Sequence, residues 1–154
     1  MDGVNSITQC PTAPGDTYTY RWTATAYGSS WYHSHFGFQA WNGVFGGIVI
    51  NGPASANYDV DMGTISMTDW NHWTSDMLYP ISAEVGVVTS LTGLINGKNK
   101  WNTSISSDPT SPGAVAATSN STDGMIGEYY NMTFEAGKSY RLRLVNVAID
   151  SGFK

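Results

Sequence analysis

Cysteine is all but absent from this chain. Of its 154 residues Cys10 alone carries a thiol, so no disulfide closes within the sequence. An odd cysteine is either a buried free thiol or one half of a bridge to a partner outside. Charge is thin as well: 12% of residues are charged, with twelve acidic against seven basic, a net charge of −5 and a pI near 4.8. That balance excludes the basic face on which a nucleic-acid binder depends. No apolar run approaches the roughly 20 residues that span a bilayer. The opening "MDGVNSITQC" has neither the basic nor the apolar region of a signal peptide. Histidine is scarce, at three residues.

What remains is enough for a core. Hydrophobic residues make up 41% of the chain, which suits one ordinary domain or pieces of two. Three acceptor sequons, Asn102-Thr-Ser, Asn120-Ser-Thr and Asn131-Met-Thr, point to a secreted, extracellular glycoprotein, since each offers an amide that a transferase can reach.

Along the chain the signals are mostly those of strands. In "DTYTYRWTATA", residues 16–26, Tyr18, Tyr20, Trp22, Ala24 and Ala26 alternate with Thr17, Thr19, Arg21, Thr23 and Thr25, which predicts a half-buried strand. "YGSS" reads as a turn leading into "WYHSHF", so a hairpin-like arrangement of these two runs is expected. "GGIVING" predicts a short β-branched strand, and Gly52-Pro53 stops pairing and reads as a domain exit. The division is therefore placed at 1–56 and 57–154. Beyond it, "TISMTDW" predicts a strand, "TSDMLYPISAEVG" a short helix broken at Pro80, and "LTGLINGK" a strand running into a turn. Residues 101–124, rich in turn formers and without a sustained period, read as a long surface loop. "KSYRLRLVNVAID" alternates Tyr140, Leu142 and Leu144 against Arg141, Arg143 and Val145, a strand whose apolar face is the first set. Many strands, frequent turns and little helix define an all-β sandwich or barrel class.

Two of the three histidines, His33 and His35, stand one residue apart in "SSWYHSHFGFQAWNGVFGGIVI". Residues i and i+2 of a strand point the same way with Cα atoms roughly 6.5–7 Å apart, so two imidazoles face one side. Such a pair can clamp one metal ion or serve two adjacent ions. It can equally be two partly exposed strand residues with ordinary hydrogen bonds. Two ligands do not make a tight site, and His72 is the remaining histidine. Trp31, Tyr32 and Phe36 beside the pair are either an apolar shell that limits solvent around a metal or part of the core.

The string "WYHSHFGFQAWNGVFGGIVINGPASANYD", preceded by "MDGVNSITQCPTAPGDTYTY", resembles the second copper motif of the fungal, ascomycete-type laccases, a family of multicopper oxidases. "DMGTISMTDW", "LINGK" and the closing "YRLRLVNVAIDSGF" resemble the stretch from the first to the second domain of that family, so the likeness covers the chain. It implies cupredoxin-like β-sandwiches, incomplete parts of two: residues 1–56 as the latter part of the first and 57–154 as the first part of the second. The chain is then expected to be an internal fragment that folds poorly and lacks activity alone.

Carried over residue by residue, the resemblance makes His33 and His35 ligands of the type 3 coppers, one to each ion of the pair. The other ligands of the trinuclear cluster and the type 1 site lie outside this chain. Asp2 matches an acidic residue near the cluster that assists proton delivery, although by itself it reads as a turn aspartate before Gly3. Asp150 matches the position that contacts phenolic substrates at the type 1 pocket; by itself it is a polar residue ending a strand. Cys10 resembles a cysteine bridging to the far C-terminal region, while His72 matches no copper ligand and the methionines read as core fillers. The implied parent is a secreted, monomeric oxidase that takes electrons singly from phenols or aromatic amines and reduces dioxygen to water. Ferroxidases, ascorbate oxidases and pigment-forming oxidases share the histidine motif, and a metal-free secreted β-sandwich binding module is the alternative from another class.

Overall fold

The computed structural model describes residues 3–86, 90–102 and 124–153. Asp2, Asn120 and residues 103–123 of the expected long loop lie outside them. Among the described residues the chain is built of strands and one helix: β1 (Gly28–His33), β2 (Phe45–Ile50), β3 (Val60–Trp70), α1 (Ser75–Val85), β4 (Thr92–Ile95), β5 (Lys100–Asn102), β6 (Met125–Gly127) and β7 (Tyr140–Asn146). The all-β class read from the sequence holds.

Three sheets result. β1 and β2 form an antiparallel pair that sets Gly28 opposite Ile50 and His33 opposite Phe45. β3 is the spine of the main sheet, ordered β4-β3-β7, antiparallel to β4 and parallel to β7, and β5 pairs with β6. The first pair lies against β3 at Gly47, where a Cβ would collide with the Thr64 side chain. Only glycine lets the two backbones approach so closely. β4 runs into a tight turn, Asn96-Gly97, with φ of 47° and 74°. Ile95 and Lys98 exchange N–H···O bonds across it at 3.1 and 3.0 Å, the two-residue hairpin that "LINGK" foretells.

Five expectations need correction. Residues 16–26 join no strand, and their aromatic side is open to solvent, with Tyr18 43%, Tyr20 47% and Trp22 61% exposed. Alternation makes a two-faced strip, but a strand also needs a ladder partner. One edge of β1 is taken by the β-branched run Ile48, Val49, Ile50, and residues 16–26 form no ladder with the other. For the same reason "YGSS" is not a turn: Gly28, Ser29 and Ser30 are drawn into β1 by those three partners.

The helix is not broken at Pro80; α1 continues through it to Val85. Proline removes one backbone donor, and because no residue of α1 is buried the local distortion disturbs no packing. The first turn is held from afar. Asn42 accepts the Ser75 N–H at 2.8 Å and donates to Asp76 Oδ2 at 2.7 Å, while the N-cap residue Thr74 makes no side-chain cap bond.

In β7 the faces are reversed from the expected assignment. Arg143, Val145 and Val147 point inward, whereas Leu142 and Leu144 are 43% and 61% exposed. Alternation says which residues share a face and is silent on which face turns in. Here the choice follows Asp61. A bulge in β3, where the register shifts between Asp61 and Thr64 around Gly63 (φ 73°), aims the Asp61 carboxylate at the Arg143 guanidinium. A fully paired arginine can be buried. The methionines are likewise not all core: Met62 and Met67 are half-buried, and Met77 is 50% exposed.

Candidate metal centre and adjoining cavity

β1 ends at His33, so His35 lies one residue past the ladder. It nevertheless points the same way, because Ser34 fixes the exit. The Ser34 N–H donates to Val44 O at 3.0 Å, its hydroxyl donates to Gln39 Oε1 at 2.7 Å, and it accepts the Phe36 N–H at 3.1 Å. The outcome is a stack of three rings. Trp31 and His33 lie 4.3 Å apart between centroids at 28°, and His33 and His35 lie 4.7 Å apart at 14°.

Two details bear on metal binding. His33 Nδ1 lies 3.1 Å from Ser34 O; a carbonyl only accepts, so Nδ1 carries the proton and Nε2 presents its lone pair. The two imidazole planes are nearly parallel. A ring nitrogen's lone pair lies in its ring plane, so two stacked planes direct their lone pairs side by side rather than onto one atom. The donor set fits two neighbouring ions that prefer imidazole, as copper does. Among the described residues no third His, Cys, Asp or Glu joins the pair in a group able to hold a metal.

The pair looks into a cleft of about 1210 Å³ whose opposite wall includes Gly3, Asn5, Gln9, Tyr20 and Trp22. Of the three aromatics expected as shell or core, Trp31 is half-buried against His33, while Tyr32 and Phe36 are 59% and 51% exposed at the cleft and belong to no core. Cys10 is a free thiol here and exposed, which removes the buried-thiol alternative. Asn102, the last residue of β5, and Asn131 are both exposed.

A second cavity, of about 350 Å³, opens between the 38–42 loop, α1 and the end of β3. Phe38, Trp41, Trp70, Trp73 and Leu78 give it an aromatic and apolar lining, and Asp69 and Asp150 stand on its wall. Asp69 escaped the reading of the sequence. It is buried, 6% exposed, and accepts the backbone N–H groups of Ile149, Asp150 and Ser151 at 2.9, 3.0 and 2.9 Å. Burial pushes its carboxyl up, but those N–H donors outweigh it and hold the group below its ordinary value. A carboxylate near the end of the strand run "TISMTDW" was the available signal. His72, which matches no copper ligand, also lines this cavity; its ring lies 4.7 Å from Trp101, and burial lowers its pKa.

His33 and His35 are thus brought together, and Asp150 lies at the aromatic cavity, not with them; Asp2 lies outside the described residues. Sequence models described as multicopper oxidase match residues 1–55 and 61–154. The chain belongs to the multicopper oxidase family. It is similar to Laccase-1 of Botryotinia fuckeliana, 46% identical over 153 residues, and to the laccase of Neurospora crassa, 43% identical over 155. A solved laccase from Botrytis aclada overlays 97% of it with a TM-score of 0.76 and 42% identity. The fold is accordingly that of cupredoxin-like β-sandwiches. The chain spans 23% and 22% of the two relatives' lengths and 25% of the solved chain.

Proposed function

We propose that this chain serves in a laccase-type oxidase, in which His33 and His35 hold the type 3 copper pair of a trinuclear cluster, one ring to each ion. The observation that carries this is the stacked histidine pair, with His33 Nδ1 tied to Ser34 O and the rings 14° from parallel. When bound, copper supplies one-electron redox chemistry and the reduction of dioxygen. The chain's own share is positional. Trp31 packs on one face of His33 and His35 on the other, so neither ring can turn without breaking a stack. Because the Ser34 carbonyl accepts from Nδ1, Nε2 is the nitrogen of His33 that faces a metal.

At the second cavity the aromatic lining accepts a flat apolar ring, and Asp150 accepts the hydroxyl proton of a phenol as the electron leaves. Laccase likeness at 43–46% identity supports phenols or aromatic amines as donors and dioxygen as acceptor. Asp2 is assigned to proton delivery at the cluster, Cys10 to a disulfide with a residue outside the chain, and Asn102, Asn120 and Asn131 to glycosylation of a secreted, monomeric protein.

The test is replacement of His33 or His35 by Ala in the full-length protein that carries this sequence. Expected is loss of copper from the cluster, read by elemental analysis, with the blue type 1 colour retained. Full copper content and normal oxygen consumption in both variants overturn the assignment.

A further inference from the structure

We infer that Asp69 is the positioning residue for Asp150: its carboxylate gathers the backbone of residues 149–151 and thereby sets where the Asp150 side chain stands on the wall of the aromatic cavity. This rests on the reading of Asp150 as the proton acceptor for phenols.

The argument starts from a charge in an unusual place. Asp69 is the next-to-last residue of β3 and 6% exposed, a site where an ionised carboxylate is costly unless its oxygens are filled. They are filled by three consecutive backbone donors, with Oδ1 taking the Ile149 N–H at 2.9 Å and Oδ2 those of Asp150 and Ser151 at 3.0 and 2.9 Å. Successive N–H groups converging on one anion form a concave nest, and here the anion belongs to the neighbouring strand. Charge-assisted bonds of this kind are about twice as strong as neutral ones.

The same turn is braced from its other side. The Val147 N–H donates to Met67 O at 2.9 Å, Asn146 Nδ2 donates to Ser151 O at 2.9 Å, and Asn146 Oδ1 accepts the Ala148 N–H at 2.9 Å. Every backbone group from 147 to 151 named here is directed toward β3 or the Asn146 amide. The exposed Asp150 side chain is what this scaffold presents to the cavity shared with Trp70, Trp73 and Leu78. Proton transfer demands hydrogen-bond reach, about 2.6–3.2 Å between heavy atoms, so a turn free to wander would forfeit it. Asp69 touches no reacting atom; it acts through the turn.

The experiment uses the full-length protein with four variants: Asp69→Asn, Asp150→Asn, the double variant, and Asn146→Ala, which loosens the same turn from an exposed position. Two electron donors are compared, a simple phenol, which must shed a proton, and hexacyanoferrate(II), which sheds none. Hydrogen exchange of the 149–151 amides is followed alongside. Expected for Asp69→Asn is faster exchange at those amides and a fall in the ratio of phenol to hexacyanoferrate(II) kcat/KM on the order of ten- to a hundredfold. The acidic limb of the phenol pH profile should shift as it does in Asp150→Asn. The double variant should lose no more than Asp150→Asn, and Asn146→Ala should show a smaller fall of the same kind.

Equal losses with both donors in Asp69→Asn and Asn146→Ala would make the carboxylate a structural brace only, and the inference falls. If Asp150→Asn shows the phenol-specific loss and neither turn variant does, the inference falls while the role of Asp150 stands. If Asp150→Asn leaves the ratio unchanged, it is the reading of Asp150 that fails, and the positioning role goes with it.

Discussion

Asp61 and Arg143, 82 positions apart in the chain, join the neighbouring strands β3 and β7 of the main sheet. Arg143 Nε donates to both carboxylate oxygens at 3.0 Å, Nη2 donates to Oδ2 at 2.5 Å, and Nη1 reaches Ser29 Oγ at 3.1 Å. One guanidinium thereby ties β7 to β3 and both to β1.

This pair makes stability depend on acid. The hydrogen bonds from Arg143, followed by that from the Gly63 N–H, lower the Asp61 pKa from 3.8 to about 2. A carboxylate whose folded pKa is depressed stabilises the fold above its unfolded value and loses that contribution as pH falls through the folded one. The window is therefore from about pH 4 down to about pH 2. Melting temperature followed across that range should fall more steeply in the natural protein than in Asp61→Asn. Parallel curves would refute the linkage. Because Asp69 is also held low, the variant should retain part of the slope.

Trp31 should matter to metal retention without being a ligand. It stacks on His33 at 4.3 Å, and groups that orient a ligating histidine contribute about ten- to a hundredfold to metal affinity. Trp31→Ala in the full-length protein should therefore release copper to a chelator at lower concentrations, and Trp31→Phe should restore most of the loss. Identical chelator titrations for Trp31→Ala and the natural protein would show the stack to be incidental.

Gly47 is a packing constraint. A methyl group there would overlap the Thr64 side chain, and overpacking of this kind costs roughly 1–3 kcal/mol. Gly47→Ala should lower the denaturation midpoint accordingly. Gly152→Ala, where an added Cβ meets nothing within 4 Å, is the control and should leave it in place. A tolerated Gly47→Ala would mean that β2 and β3 can separate at little cost.

Asn42 acts as a cap supplied from a distant loop. It satisfies the Ser75 N–H and binds Asp76 in the first turn of α1, and loss of a capping side chain costs about 1 kcal/mol. Asn42→Ala should destabilise by about that amount and speed hydrogen exchange in the first turn of α1. Asn42→Asp should do worse at neutral pH, since it sets a second carboxylate against Asp76. If exchange at Ser75 is unchanged in Asn42→Ala, Thr74 caps the helix after all.

Much of this was legible because it is local. β-branched runs gave β2 and the core of β3, "LINGK" gave the strand β4 and the turn after it, and the one-residue spacing of His33 and His35 put two imidazoles on one side. What was misread needed a partner that no local pattern names. Residues 16–26 alternate well and still form no strand, since the run that pairs with β1 lies at Ile48–Ile50. α1 passes through Pro80, where no residue of the helix is buried and the lost backbone donor disturbs no core.

By itself the sequence determined the chemistry available: two imidazoles for a metal, an acidic surface, one cysteine, and strands with short turns. The tertiary structure decided direction. Which face of β7 turned inward depended on Asp61, because a buried guanidinium is tolerated only where a carboxylate meets it. Where Asp150 came to stand depended on Asp69, because three backbone N–H groups gather only around a charge brought in by another strand. Both choices join residues about 80 positions apart, and alternation within a strand says nothing at that distance.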